Sequence, residues 1–95
     1  MITSKQRAKL RGYANTIETT QQIGKFGIED NTVQQVLNEL NARELVKLRV
    51  LETCPYSARE AATILAEATG AEIVQVIGTR FVLFLQKKKD SKYEI

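Results

Sequence analysis

Histidine and tryptophan are absent from this chain, and cysteine and proline occur once each in 95 residues. Without histidine there can be no Ser-His-Asp or Cys-His mechanism and no imidazole metal site. Cys54 alone cannot close an internal disulfide, and one thiolate does not make a zinc site. A lone cysteine with no stapling suits a reducing cytoplasm, which is the expected location. No apolar run approaches the roughly 20 residues that a membrane-spanning helix needs, so no membrane partner is expected. The opening MITSKQRAKLRG has basic residues but no apolar stretch behind them, so it does not read as a secretory signal. Eleven carboxylates remain, yet no spacing motif groups them for acid–base work. The expectation is a protein that is not an enzyme and has no catalytic residue, metal or cofactor.

What is present describes an ordinary globular domain, 43% hydrophobic and 26% charged, long enough for one core. The 14 basic and 11 acidic residues leave a net charge of +3, and their placement is uneven. Residues 1–17 carry Lys5, Arg7, Lys9 and Arg11 and no acid. Residues 87–95 carry Lys87, Lys88, Lys89 and Lys92 against Asp90 and Glu94. Most acids fall between Glu18 and Glu72. Basic extremities on a near-neutral middle read as an anion-binding surface, although they also keep a protein soluble.

Hydrophobic periodicity orders the chain. A first helix, capped by Thr3 or Ser4, runs to about Asn15 with Leu10, Tyr13, Ala14 and Ile17 on its apolar side. At about 100° per residue, Lys5 and Lys9 fall on one shoulder of that stripe and Arg7 and Arg11 on the other. A β-branched strand over 19–23 stops at Gly24-Lys25-Phe26-Gly27. A second helix starts near Asp30 or Asn31, with Val33, Val36, Leu37 and Leu40 inward. Residues 45–51 alternate as a strand, with Val46, Leu48 and Val50 to the core and Lys47 and Arg49 to the opposite face.

Pro55 breaks the chain, and Ser57-Ala58-Arg59-Glu60 is a capping box for a third helix with Ala61, Ile64, Leu65 and Ala68 inward. Gly70 ends it. Strands over 72–77 and 81–86 form an antiparallel hairpin through Gly78-Thr79-Arg80. The last strand is apolar in both phases, so both its faces are covered or it lies centrally. The order α-β-α-β-α-β-β predicts an α/β domain over 1–86, a four-stranded mixed sheet packed with helices, followed by a basic, mobile tail over 87–95. Helical crossovers commonly join parallel neighbours, but the pattern does not contain the strand order.

The glycine tetrad is the most informative segment. It lies between a strand and a helix start, where glycine permits positive φ and close approach by another backbone. Lys25 adds charge, and Phe26 can stack on a base. The KH fold clamps an RNA backbone with such a GxxG loop. An ordinary glycine turn would look the same, and Glu29 and Asp30 sit where phosphate would want positive potential. Tyr13 and Phe81 read as core, and Cys54 as a loop or core filler.

Several spaced segments, spanning about residues 2–86, resemble the small single-domain YhbY family of the CRM (chloroplast RNA splicing and ribosome maturation) class. They are Thr3-Ser4-Lys5-Gln6-Arg7 with Leu10, Gln22-Ile23-Gly24-Lys25-Phe26-Gly27-Ile28, Ala42-Arg43-Glu44-Leu45-Val46-Lys47, Thr69-Gly70-Ala71, and Val74-Gln75-Val76-Ile77-Gly78 leading to Phe81-Val82-Leu83. The resemblance implies a fold similar to the C-terminal domain of translation initiation factor three and related to KH architecture. It implies RNA binding through the loop at Gly24, Lys25, Phe26 and Gly27, and association with ribosomal RNA of the large-subunit precursor. Two departures stand out. Phe84-Leu85-Gln86 and three lysines replace the family's strand-end Tyr-Arg-Pro, and Glu29 replaces the threonine that caps the second helix.

The candidate RNA-binding residues are therefore those four, with Lys5, Lys9, Arg11, Lys47, Arg49, Arg80, Lys87 and Lys88. The expected partner is RNA, held by a monomer. A protein–protein adaptor docking on a ribosomal protein or translation factor is the rival, and it would show an exposed apolar patch, with the last strand as the candidate.

Overall fold

Local hydrogen bonds start each helix. A computed structural model describes residues 2–86. In it, α1 (Ser4–Ala14) opens on a reciprocal cap. The Thr3 hydroxyl accepts from the Gln6 amide at 3.1 Å, and the Gln6 side chain accepts from the Thr3 amide at 2.8 Å. The same exchange opens α3 (Ala58–Thr69), with Ser57 and Glu60 bonded both ways at 3.1 Å. Such caps satisfy N–H groups that have no partner within the helix. Gly70, left-handed at φ 81°, ends α3.

Strands β1 (Thr19–Ile23), β2 (Leu45–Val50), β3 (Glu72–Ile77) and β4 (Arg80–Phe84) form one sheet in the order β1-β2-β4-β3. β1 and β2 are parallel, joined by α2 (Asp30–Arg43). β4 is antiparallel to both β2 and β3. The second helical crossover thus does not join sheet neighbours, because the β3–β4 hairpin folds back and inserts β4 beside β2. β2 stops at Val50 and β4 at Phe84, short of the expected 51 and 86.

β4 is central and covered on both faces, which is why it is apolar in both phases. On one face, Val46, Leu48, Phe81 and Leu83 pack with Val36 and Leu40 of α2 and Ala61 and Leu65 of α3. On the other, Leu45, Val74, Val82 and Phe84 pack under Leu10 and Ala14 of α1. The face bearing Lys47 and Arg49 is therefore partly covered, with α1 over the half that holds Leu45 and Phe84.

Two expected core residues are not core. Tyr13 is 40% exposed. It lies about 60–100° round α1 from the buried Leu10 and Ala14, beyond the narrow strip that touches the sheet. Ala68 is exposed, and Ala58 and Ala62 are buried instead, so α3 is rotated slightly from the expected stripe. The tail assigned to 87–95 lies outside the described residues.

Candidate nucleic-acid interface

The glycine tetrad closes a tight turn at the end of β1, where the Gly27 amide donates to the Gly24 carbonyl at 3.0 Å. Gly27 has φ +69° and is buried, and an added Cβ would lie 3.1 Å from Tyr56 Cε2 and 3.2 Å from Pro55 Cγ. Its glycine is thus required by backbone conformation and by internal packing. The space beside Gly27 is thus filled from inside the protein, by Pro55 and Tyr56, where the sequence reading has a glycine kept small for an outside backbone. At Gly24 a Cβ would make only ordinary contacts, 3.7 Å to Leu51 Cδ1 and 3.9 Å to Thr53 Oγ1.

Anchoring Gly27 inward turns the tip outward. Lys25 and Phe26 are both exposed, Phe26 by 76%, with Lys25 Nζ 5.1 Å from the centre of the ring. A ring so exposed does not hold a core together. It presents a π-face beside a cation, the pair of features that binds a stacked base and its phosphate. Glu29 caps α2 in extended geometry, and the Thr32 hydroxyl accepts from its amide at 3.3 Å, so the family's threonine is not needed to start this helix. Glu29 and Asp30 already complement the positive end of α2. Lys25 is the exposed cation at the tip.

Strand pairing brings distant cations to the same end of the sheet. The Leu51 amide donates to the Ile23 carbonyl at 2.9 Å, and the Val50 amide to Thr79 at 2.8 Å. Immediately below, Gln22, Arg49, Arg80 and Ile77 align in register across all four strands. They lie on the face opposite the buried Ile23, Val50 and Phe81. α1 stops short of this row. Past its end, a depression of about 130 Å³ is lined by Asn15, Lys47, Gln75, Ile77, Arg80, Phe81 and Val82.

Arg49 and Arg80 are direct cross-strand partners, and neither has an ion-pair partner among the described residues. Like charges placed opposite each other destabilise a sheet by roughly 0.2–1 kcal/mol. An incoming anion removes that repulsion. Lys47, half-buried and one row lower, adds a third cation on the same face.

The fold thus gathers Gly24, Lys25, Phe26, Gly27, Lys47, Arg49 and Arg80 at one end. It does not bring Lys5 there. The neighbours of Lys5, Ile2 and Gln6, line a depression with Gly70, Glu72 and Phe84 at the opposite end of the sheet. Lys9 is exposed on the same shoulder of α1 as Lys5. Arg11 lies on the other shoulder, in a groove along the β3 edge with Arg7 and Arg59. Lys87 and Lys88 lie outside the described residues. Sequence reasoning missed Arg59 and Ile77 as surface partners. Arg59 sits inside a capping box, and nothing local indicates that α3 packs beside the β3 edge.

Among the described residues no group of three His, Cys, Asp or Glu side chains could hold a metal ion. Cys54 accepts from the Tyr56 amide at 3.4 Å and packs on the core, the expected loop role.

The sequence profile of the CRS1 / YhbY (CRM) domain matches residues 2–84. The chain belongs to the CRS1 / YhbY (CRM) domain family. Among its relatives, "Probable RNA-binding protein YqeI" of Bacillus subtilis (strain 168) is 35% identical over 95 residues, covering 100% of this chain and 99% of that one. "Probable RNA-binding protein MJ0652" of Methanocaldococcus jannaschii is 33% identical over 94 residues, 97% of this chain and 69% of the relative. The solution structure of the Staphylococcus aureus protein SAV1595 superposes with a TM-score of 0.84 at 40% identity, covering 100% and 99% of the two chains. The α/β fold expected from the hydrophobic pattern, a four-stranded mixed sheet in the order α-β-α-β-α-β-β, is the one observed.

Proposed function

We propose that this CRM domain is a non-enzymatic RNA-binding protein that associates with ribosomal RNA of the large-subunit precursor during ribosome assembly in the cytoplasm. The observation that carries RNA binding is the convergence of Lys25 and Phe26 on an outward turn with the unpaired Arg49–Arg80 partners at the same end of the sheet. The names of two relatives point the same way. Lys25, Lys47, Arg49 and Arg80 take phosphates, and Phe26 stacks on a base. Backbone charge and stacking carry little base-edge readout, so recognition follows RNA shape and single-strandedness more than sequence.

The adaptor alternative needs an exposed apolar patch, and β4, its candidate, is buried from Phe81 to Phe84. The exposed large apolar side chains among the described residues are Tyr13, Phe26 and Ile77, of which Phe26 and Ile77 belong to the cationic end itself. Crosslinking in cells followed by sequencing of the bound RNA tests the proposal. Enrichment of large-subunit precursor RNA supports it. Enrichment of unrelated RNA overturns the ribosomal assignment, and absence of crosslinked RNA overturns RNA binding.

A further inference from the structure

The free edge of the sheet opposite β1 carries a second concentration of cations. A groove of about 620 Å³ runs along β3, lined by Arg7 and Arg11 from α1, Arg59 from α3, and residues 73–77. Helices from both faces of the sheet thus deliver guanidinium groups to one edge, and the lining holds no carboxylate. Arg7 is positioned by its Nε, which donates to the Ile73 carbonyl at 3.2 Å and leaves its terminal nitrogens for another acceptor. Arg11 and Arg59 are exposed. Gln75 and Ile77 line both this groove and the depression that holds Lys47 and Arg80, so the two cationic surfaces are continuous.

We infer that Arg7, Arg11 and Arg59 form a second phosphate-binding site, which takes a further backbone segment of the same RNA that engages the glycine turn. The inference rests on the RNA-binding reading above. Three interstrand spacings separate β1 from β3, about 14 Å, so one short clamp cannot occupy both sites. The RNA must run across the end of the sheet and down its edge, or present two backbone segments of a folded element. Three planar guanidinium forks match phosphate oxygens in a way that ammonium groups do not. The other candidate for an arginine-lined strand edge is an acidic peptide adding as a fifth strand. The continuity with the Lys47 and Arg80 surface favours RNA.

The test measures binding of a 20-nucleotide oligouridine by fluorescence anisotropy between 50 and 200 mM salt. The proteins are the parent, Lys25→Ala, and Arg11→Gln/Arg59→Gln, which leaves the Arg7–Ile73 bond alone. Circular dichroism and a melt check each fold. With about 0.7 lost from the slope of log K against log salt per phosphate contact, the double variant should bind more weakly, with a slope shallower by about 1.4. The fourfold rise in salt would then cost it about 7-fold less affinity than it costs the parent. Arg11→Lys/Arg59→Lys should restore the slope and part of the affinity. If Lys25→Ala weakens binding while the folded double variant matches the parent, the edge site is refuted and the RNA-binding reading survives. Failure of the parent itself to bind overturns both. Binding of a deca-glutamate peptide that depends on Arg59, with RNA affinity indifferent to it, overturns the inference in favour of a protein partner.

Discussion

Replacing Phe26 with alanine separates stacking from packing more cleanly than any other single change in this domain. Fully burying a phenylalanine is worth roughly 1.5–3 kcal/mol. Phe26 remains 76% exposed, so its contribution to the fold is about a quarter of that, below ~0.8 kcal/mol. A core ring would cost about 3–5 kcal/mol. For a domain of this size, the expected fall in thermal midpoint is therefore no more than about 6 °C. Affinity should respond differently. Loss of a stacked base costs about 1–3 kcal/mol, a 5- to 150-fold weakening. No charge is removed, and the Lys25 ammonium 5.1 Å from the ring stays available, so the salt slope should not change. Anisotropy titrations with oligouridine at several salt concentrations, run beside a thermal melt, give all three quantities. Phe26→Trp keeps a stacking face and should restore affinity. Parental affinity in Phe26→Ala, or a stability loss near 3 kcal/mol, would refute the reasoning.

Other substitutions probe the same surface from different directions. Lys25, Lys47, Arg49 and Arg80 give roughly four phosphate contacts and a slope of about −2.8 for a single strand confined to this end. Lys25→Ala should make the slope read from the same titrations shallower by about 0.7 with the fold intact. Arg80→Gln relieves the opposition to Arg49, so a denaturant melt should show stability unchanged or raised by about 0.2–1 kcal/mol while RNA affinity falls. Gly27→Ala meets both the positive φ and the Pro55–Tyr56 contact, so it should destabilise by about 1–3 kcal/mol and disorder the turn, visible as loss of protection at the Gly27 amide in hydrogen exchange. Ser57→Ala removes a helix cap at a cost of about 0.5–2 kcal/mol in a melt. Glu60 titrates below the ordinary carboxylate range because of its backbone and side-chain bonds with Ser57. Its contribution is present above the unfolded pKa and fades as pH falls through the folded value; Ser57→Ala keeps the backbone N–H that donates to Glu60 and loses only the side-chain bond, so an NMR titration should find its pKa moved part of the way back up.

Much of this architecture is legible in local patterns because the physics behind it is local. The capping boxes at Thr3 and Ser57 are exchanges between residues three apart, and they open α1 and α3 where the sequence places them. The alternation in β2 and the two-phase apolarity of β4 report which sides of a strand are covered, and both agree with the layers observed. The glycine tetrad marks a turn whatever follows, since few other residues adopt its backbone conformation.

Tertiary structure decided everything that depends on which strand lies beside which. Insertion of β4 between β2 and β3 sets Arg80 opposite Arg49 and turns a hairpin residue into half of a cationic pair. The packing of Pro55 and Tyr56 against Gly27 turns that glycine inward and leaves Phe26 in solvent. The narrow seat of α1 leaves Tyr13 outside the core and carries Lys5 to the far end of the sheet. The convergence of Arg59 with Arg7 and Arg11 arises because α1 and α3 pack on opposite faces of one edge strand. Residues some fifty positions apart meet there through topology, and no periodicity along the chain encodes that meeting.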